Sequence, residues 1–382
     1  MSRRWQGLTW DHPRGYAALQ AAADQTGLID WHRHSLEGFE SAPIAQLCEQ
    51  YDLIVLDHPH LGEALAQGCL QPLNRLLPDE ALRSIERNSI GLTYASYHMA
   101  GQQWALPLDA ATQVMAVRPD LLKRGDHAVP VQWQDVLALS RQTKQVALSL
   151  AGPHAFLTLL SMCAALDPDL NLDDGRRWHQ PAVLQQACEW LVELAALSPV
   201  SVRDANPIAL LHHMTMHDDV LLCPLVYGYV NYTRAAAGTA LTFHNAPRVA
   251  SHAPGSILGG TGIAISRRCA VDASLIEHLL WLLSEDTQTH FIPQHAGQPS
   301  HLSSWRDPAV NADSSHFYFD TFDTLSAASL RPRHDGFIAL QSRASAFLRE
   351  GLFNHASPAK LADGLNTLCA PHSTIAERNL CD

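Results

Sequence analysis

Two apolar runs, Trp5 to Trp10 and Leu53 to Leu56, each stop at the same tripeptide, Asp-His-Pro, at positions 11–13 and 57–59. An apolar run closed by proline reads as a buried strand ending at the edge of its ladder, because proline has no amide hydrogen to donate. Between these runs lie a helical stretch, Tyr16 to Thr26, with Tyr16, Leu19 and Ala23 on one face, a second strand, Trp31 to Leu36, and a helix, Ile44 to Gln50. That order predicts an α/β fold with a doubly wound, mostly parallel sheet. Ligands of open α/β sheets bind in the crevice beyond the carboxyl ends of the strands. Each tripeptide therefore delivers a carboxylate and an imidazole to such a place: Asp11 with His12, and Asp57 with His58. Capping of the next helix is the competing account for either one alone; the recurrence favours ligand contact.

A chain of 382 residues is too long for one ordinary core and calls for about two lobes. Its formal charge of -12 excludes a nucleic-acid surface, since Arg3-Arg4, Arg176-Arg177 and Arg267-Arg268 are isolated pairs. No run approaches the roughly 20 apolar residues of a membrane span, so no membrane insertion is expected. Met1-Ser2-Arg3-Arg4 runs directly into the first strand with no secretory apolar stretch. The leaderless sequence as written is expected in the cytoplasm, and in the periplasm if a leader was removed. Eight cysteines without a CxxC, mostly inside apolar patterns, suit reduced thiols.

Farther along, Ala105-Leu106-Pro107-Leu108-Asp109 leads into a strand at Gln113 to Val117, where the first crossing between lobes is placed. Helices are predicted over Trp133–Ser140, Ala155–Leu166, Pro181–Leu197 and Ile208–His217, and strands over Val146–Leu150 and Val220–Val226. A glycine cluster, Gly259-Gly260-Thr261-Gly262, feeds a strand that returns to the first lobe.

At this point four segments carry a family resemblance. They are Tyr51 to Asp57 followed by Leu70-Gln71-Pro72-Leu73; Ala105 to Asp109 followed by Arg118-Pro119-Asp120-Leu121-Leu122; Gly259-Gly260 ending in Ile263-Ala264-Ile265-Ser266; and Gly297-Gln298-Pro299 with Trp305. Over roughly residues 5–310 the chain resembles the extracellular solute-binding proteins of sugar-class ABC importers, the maltose-binding-like group with the type II periplasmic-binding fold. The resemblance implies two α/β lobes, each a mostly parallel sheet flanked by helices, closing by a hinge over a solute. The first lobe would be residues 1–110 and 262–298. The second would be 111–261 and 299–382, with a C-terminal helical tail. It also implies a small polar ligand (sugar, polyol or carboxylic acid), no cofactor, a monomer, and an ABC permease as partner if the protein is exported.

Mapped onto this sequence, the ligand loops would hold Trp10, Asp11, His12, Arg14, Asp57, His58 and Asp109. Gly152, His154, Tyr227, Tyr229, Tyr232, Gly259, Gly260 and Gln298 complete the set. Aromatic faces would cover apolar ring surface while carboxylates and amides fix hydroxyls. The three tyrosines have core or hinge packing as their alternative role. Arg14 could grip a ligand carboxylate or pair with Asp11. Gly152 and His154 could serve an anionic group at a helix start, or be a plain helix N-terminus.

Twenty-two histidines, several beside carboxylates, exceed what sugar binding requires. A cytosolic enzyme on the same scaffold, a lyase, hydratase or cyclase using Asp11, His12, Asp57 and His58 for acid–base work, is the alternative function. His32-Arg33-His34, His58-Pro59-His60 and His212-His213 with His217 have ligand-like spacing, but without an HExxH no metal site is expected. The glycine cluster lacks the lysine of a phosphate loop, and no Gly-x-Ser-x-Gly is present.

Overall fold

The computed structural model describes residues 4–172, 180–234 and 238–369. Arg3, Arg176-Arg177 and Cys381 lie outside the described residues. The strands are β1 (Trp5–Trp10), β2 (Ile29–His34), β3 (Leu53–Leu56), β4 (His98–Met99), β5 (Gln102–Gln103), β6 (Ala105–Val117), β7 (Leu222–Tyr227), β8 (Thr242–His244) and β9 (Leu258–Ile265). The main sheet runs β2-β1-β3-β9-β6-β7, with β8 also on β6, and β4 and β5 form a separate pair.

Parallel pairing among these strands is confined to β1 with β2 and β3. β9 runs antiparallel to both β3 and β6, and β6 is antiparallel to β7 and β8. The expectation of mostly parallel sheets thus holds for β2-β1-β3 only. The reason is connectivity: β9 re-enters the first lobe from the second and so runs against the strands it joins.

β6 is buried along its whole length. From Ala105 to Thr112 it pairs with β9, and from Gln113 onward with β7 and β8, so one strand passes from the first lobe into the second. It begins well before the predicted Gln113. Pro107 is tolerated inside it because the register shifts between Pro107 and Asp109, the kind of irregularity that accepts a residue without an amide hydrogen. The strand expected at Val146–Leu150 reduces to a single parallel bridge, Val146 with Leu222.

Helix Pro13–Thr26 starts with proline in its first turn, where the missing amide hydrogen is harmless, and ends on Gly27 in the left-handed region. A strand was expected to run on to Leu36. Instead Ser35 accepts from the Gly38 amide and opens a short helix, Leu36–Ser41. In the second lobe, helices Trp133–Thr143, His154–Leu166 and Pro181–Leu197 pack with Phe337–Phe353 and Pro358–Leu368 around a core that includes Trp133, Phe156, Leu191, Phe337 and Leu365. The first-lobe core collects Trp5, Leu19, Leu53, Leu106, Ile263 and Leu279. A smaller cluster holds Ile44, Cys48, Ile54, Leu61 and Tyr97. No helix among the described residues is long and apolar enough to cross a membrane.

Candidate functional site

A cleft of about 50 Å³ opens where the two lobes face each other, lined from the first side by Trp10, Arg14, Phe39, Glu40, Asp57 and His60. His154, Leu157, Pro207, Tyr227, Tyr229 and Gln341 line it from the other side, with Gly259, Gly260, Thr261 and Arg331 along the crossing segments. At the roughly 30 Å³ a water occupies in the liquid, that volume corresponds to about two waters.

Two buried ion pairs floor the cleft. Arg14 donates from Nε and Nη2 to the two oxygens of Asp109, at 2.8 and 2.5 Å, and from Nη1 to the Gly228 carbonyl at 3.0 Å. The Tyr229 ring lies against the guanidinium at 4.8 Å. Burial opposes the Arg14 charge, and Asp109 outweighs it. In the second pair Arg331 donates from Nη2 to Asp57 Oδ2, while its Nε donates to the Leu258 carbonyl at 3.0 Å. Burial alone would raise the Asp57 carboxyl, but Arg331 and His58 hold it well below the usual carboxylate range. Both cations that line the cleft are therefore already matched by carboxylates.

Several polar groups elsewhere in a lining shared with Leu36, Phe39, Leu157 and Ile338 are underused. Trp10 Nε1, His60 Nδ1, both ring nitrogens of His154, the Tyr227 hydroxyl and Gln341 Oε1 are buried without a hydrogen-bond partner. Glu40 Oε1 lies 3.0 Å from His154 Nε2, across the cleft but out of hydrogen-bonding alignment. Burial raises the Tyr227 phenol well above its usual range. The glycine pair makes the space: a Cβ on Gly259 would fall 2.4 Å from the Tyr227 ring. Gly260, at φ +88°, would bring one 2.4 Å from the Asp109 carbonyl.

Of the residues singled out from sequence, Trp10, Arg14, Asp57, His154, Tyr227, Tyr229, Gly259 and Gly260 come together here, and Asp109 sits behind Arg14. Others lie outside the lining. Asp11 is exposed and paired with Arg33 at 3.3 Å, not with Arg14. His12 stacks on Trp10 and caps its helix, its Nδ1 accepting from the Arg14 amide at 3.1 Å. Burial and then Arg14 lower this imidazole to about 4. His58 is fully buried behind Asp57, its Nε2 accepting from the Arg331 amide; burial, then Arg331, brings it to about 4. Both tripeptides thus end strands and open helical turns, with Asp57 accepting from the His58 amide at 2.9 Å.

Gly152 accepts from Ser345 Oγ through its carbonyl, Tyr232 donates to the Ile208 carbonyl, and Gln298 bridges the Ala110 carbonyl and the Val230 amide. Sequence reasoning passed over Phe39, Glu40, Arg331 and Gln341. Ser35 ahead of Leu36 was the readable signal for the helix that carries the first two. His60 was weighed only as a metal ligand. Among the described residues no group of three or more His, Cys, Asp or Glu side chains is placed to hold a metal ion. His213, for example, pairs with Asp219 at 2.6 Å and stacks on His217.

The family model described as bacterial extracellular solute-binding protein matches residues 41–316. The chain belongs to that family. Solved structures similar to this solute-binding protein share its fold. An ABC transporter solute-binding protein from Agrobacterium radiobacter, in complex with ribitol, is 18% identical over 96% of this chain and 98% of its own, with a TM-score of 0.75. Maltose-bound MalE3 of T. maritima is 13% identical over 96% and 98% of the two chains, at a TM-score of 0.79. A solute-binding protein from Agrobacterium vitis, with bound D-mannitol, is 14% identical over 96% and 97%, at 0.73. No curated protein matches the chain.

Proposed function

We propose that this solute-binding protein takes a small, neutral, polyhydroxylated solute, a polyol or sugar, into the cleft between its lobes. The observation that carries this is the set of unpartnered buried groups in the lining: an indole N–H, imidazole nitrogens, a phenol and an amide oxygen. Each such group left unsatisfied costs about 1–3 kcal/mol. Hydroxyls both donate and accept, so a run of them satisfies mixed donors and acceptors at once. A carboxylic acid has less support, because Arg14 and Arg331 are held by Asp109 and Asp57 and Glu40 adds a further negative group. Similar folds that hold ribitol and mannitol point the same way.

The cleft volume supports a hinged entry: a solute larger than a few waters enters only when the walls part, with β6, β9 and the segment around Arg331 as the crossings that bend. The extracellular family supports a working place outside the cytoplasm and an ABC permease as partner. The acid–base alternative draws no support, since His58 is sealed from the cleft and Nδ1 of His12 is engaged by a backbone amide.

Calorimetric titration with ribitol, mannitol, tagatose, maltose and succinate tests the proposal. At least one neutral polyol or sugar binds and raises Tm. Tyr227→Phe weakens it about tenfold, equivalent to roughly 1.4 kcal/mol, without lowering the unliganded Tm. Binding of succinate alone, or wild-type affinity in the Tyr227→Phe protein, overturns the proposal.

A further inference from the structure

Between Ser329 and Phe337 an arm of the chain leaves the second lobe, touches the first and returns. At one end Ser329 bridges Ile257; at the other Phe337 enters the second-lobe core as it opens helix Phe337–Phe353. In between, the arm is held on the first lobe at three places. Arg331 pairs with Asp57 in the cleft floor, and its backbone amide donates to His58 Nε2 at 3.2 Å. Arg333 donates from Nη1 to the carbonyls of Ala95, Ser96 and His98, at 3.0, 3.0 and 2.9 Å. Gly62, buried on helix Leu61–Ala66, seats the backbone of the arm: a Cβ there would collide with the Arg333 carbonyl and with the peptide that joins His334 to Asp335. Leu61 and Ala64 of that helix, and Tyr97 among the carbonyls that Arg333 holds, belong to the small first-lobe cluster. Gly62, Ala95, Ser96, His98 and Arg333 all lie outside the cleft lining.

We propose that this arm, given the hinged entry described for the solute, is a clasp remote from the cleft, and that Arg333 sets solute affinity by holding the lobes closed. Both ends of the arm are anchored in the second lobe, so walls that part carry its middle off Gly62 and off the three carbonyls. The hydrogen bonds of Arg333 are therefore made in the closed form and broken in the open one. A contact present in one state only shifts the equilibrium between the two by its full free energy. Apparent affinity then falls in proportion to the population of the form that grips the solute. Arg333 is thus a positioning residue: it lies away from the solute, yet it decides how firmly the second lobe is held against the first. The clasp is independent of which solute the cleft takes.

Small-angle X-ray scattering of the purified, unliganded full chain tests the clasp without any solute. Arg333→Met removes the donors and keeps an apolar side chain in their place. Gly62→Ala leaves Arg333 intact but fills its seat, and alanine suits the helix itself better than glycine does. Both variants are expected to show a larger radius of gyration than the wild type, with unchanged secondary structure by circular dichroism. Calorimetric titration with ribitol and mannitol supplies the second readout: whichever polyol the wild type takes binds about tenfold more weakly to each variant. An unchanged radius of gyration in either variant, or wild-type affinity for that polyol, overturns the clasp. Failure of the wild type to bind either polyol counts against the solute reading alone, because the scattering comparison needs no solute.

Discussion

Asp109 is what makes a guanidinium tolerable in the interior at Arg14. With side-chain exposures of only 4% and 8%, the pair has been taken almost wholly out of water, and its two charges depend on each other. An intact buried pair adds little net stability over apolar residues of the same size, while removal of one partner leaves the other uncompensated. Asp109→Asn is therefore expected to lower unfolding free energy by about 3–5 kcal/mol in urea denaturation. Adding Arg14→Met to that chain recovers most of the loss, because no charge is then stranded. The same logic separates this pair from Arg33 and Asp11, both exposed, whose contact contributes nothing that such a measurement would detect.

At the level of strands and helices, much was readable from the sequence. β1, β3 and the helices Ile44–Gln50 and Pro181–Leu197 lie where the apolar pattern puts them, since each is long or apolar enough for one period to dominate. β6 begins at Ala105, ahead of the apolar run at Gln113, and only the register shift against β9 reveals how Pro107 is accommodated within it. Cleft-lining groups were legible where they end a strand, as with Asp57, or follow one, as with Tyr229. Arg331 and Gln341 were not legible, because they reach the cleft through long-range packing that no local spacing encodes. Close packing between β9 and β7 has its own consequence. Gly259→Ala puts a methyl group against the Tyr227 ring, so it is expected to displace that phenol and weaken solute binding at least tenfold, with the secondary structure by circular dichroism unchanged.

For the molecule as a whole, the buried imidazoles tie stability to acidity. His58 protonates near 4 in the folded chain and near 6.5 when unfolded, so on acidification the unfolded chain takes up its proton first. The contribution is complete above about pH 6.5 and is lost progressively down to about pH 4, for a total of roughly 3 kcal/mol. His12 adds to the loss over the same window. Urea midpoints between pH 7 and 4.5 are expected to fall accordingly, and less steeply for His58→Gln. A flat profile in that window would show the imidazole to be solvated.

The position of β9 bears on how the chain is made. This strand sits between β3 and β6 in space yet is translated some two hundred residues after β3. Until it emerges from the ribosome, two rows of backbone amides and carbonyls wait for a partner, and the N-terminal sheet cannot finish. A nascent polypeptide of this design keeps the flanks of β3 and β6 open through most of its synthesis, so its central sheet closes late.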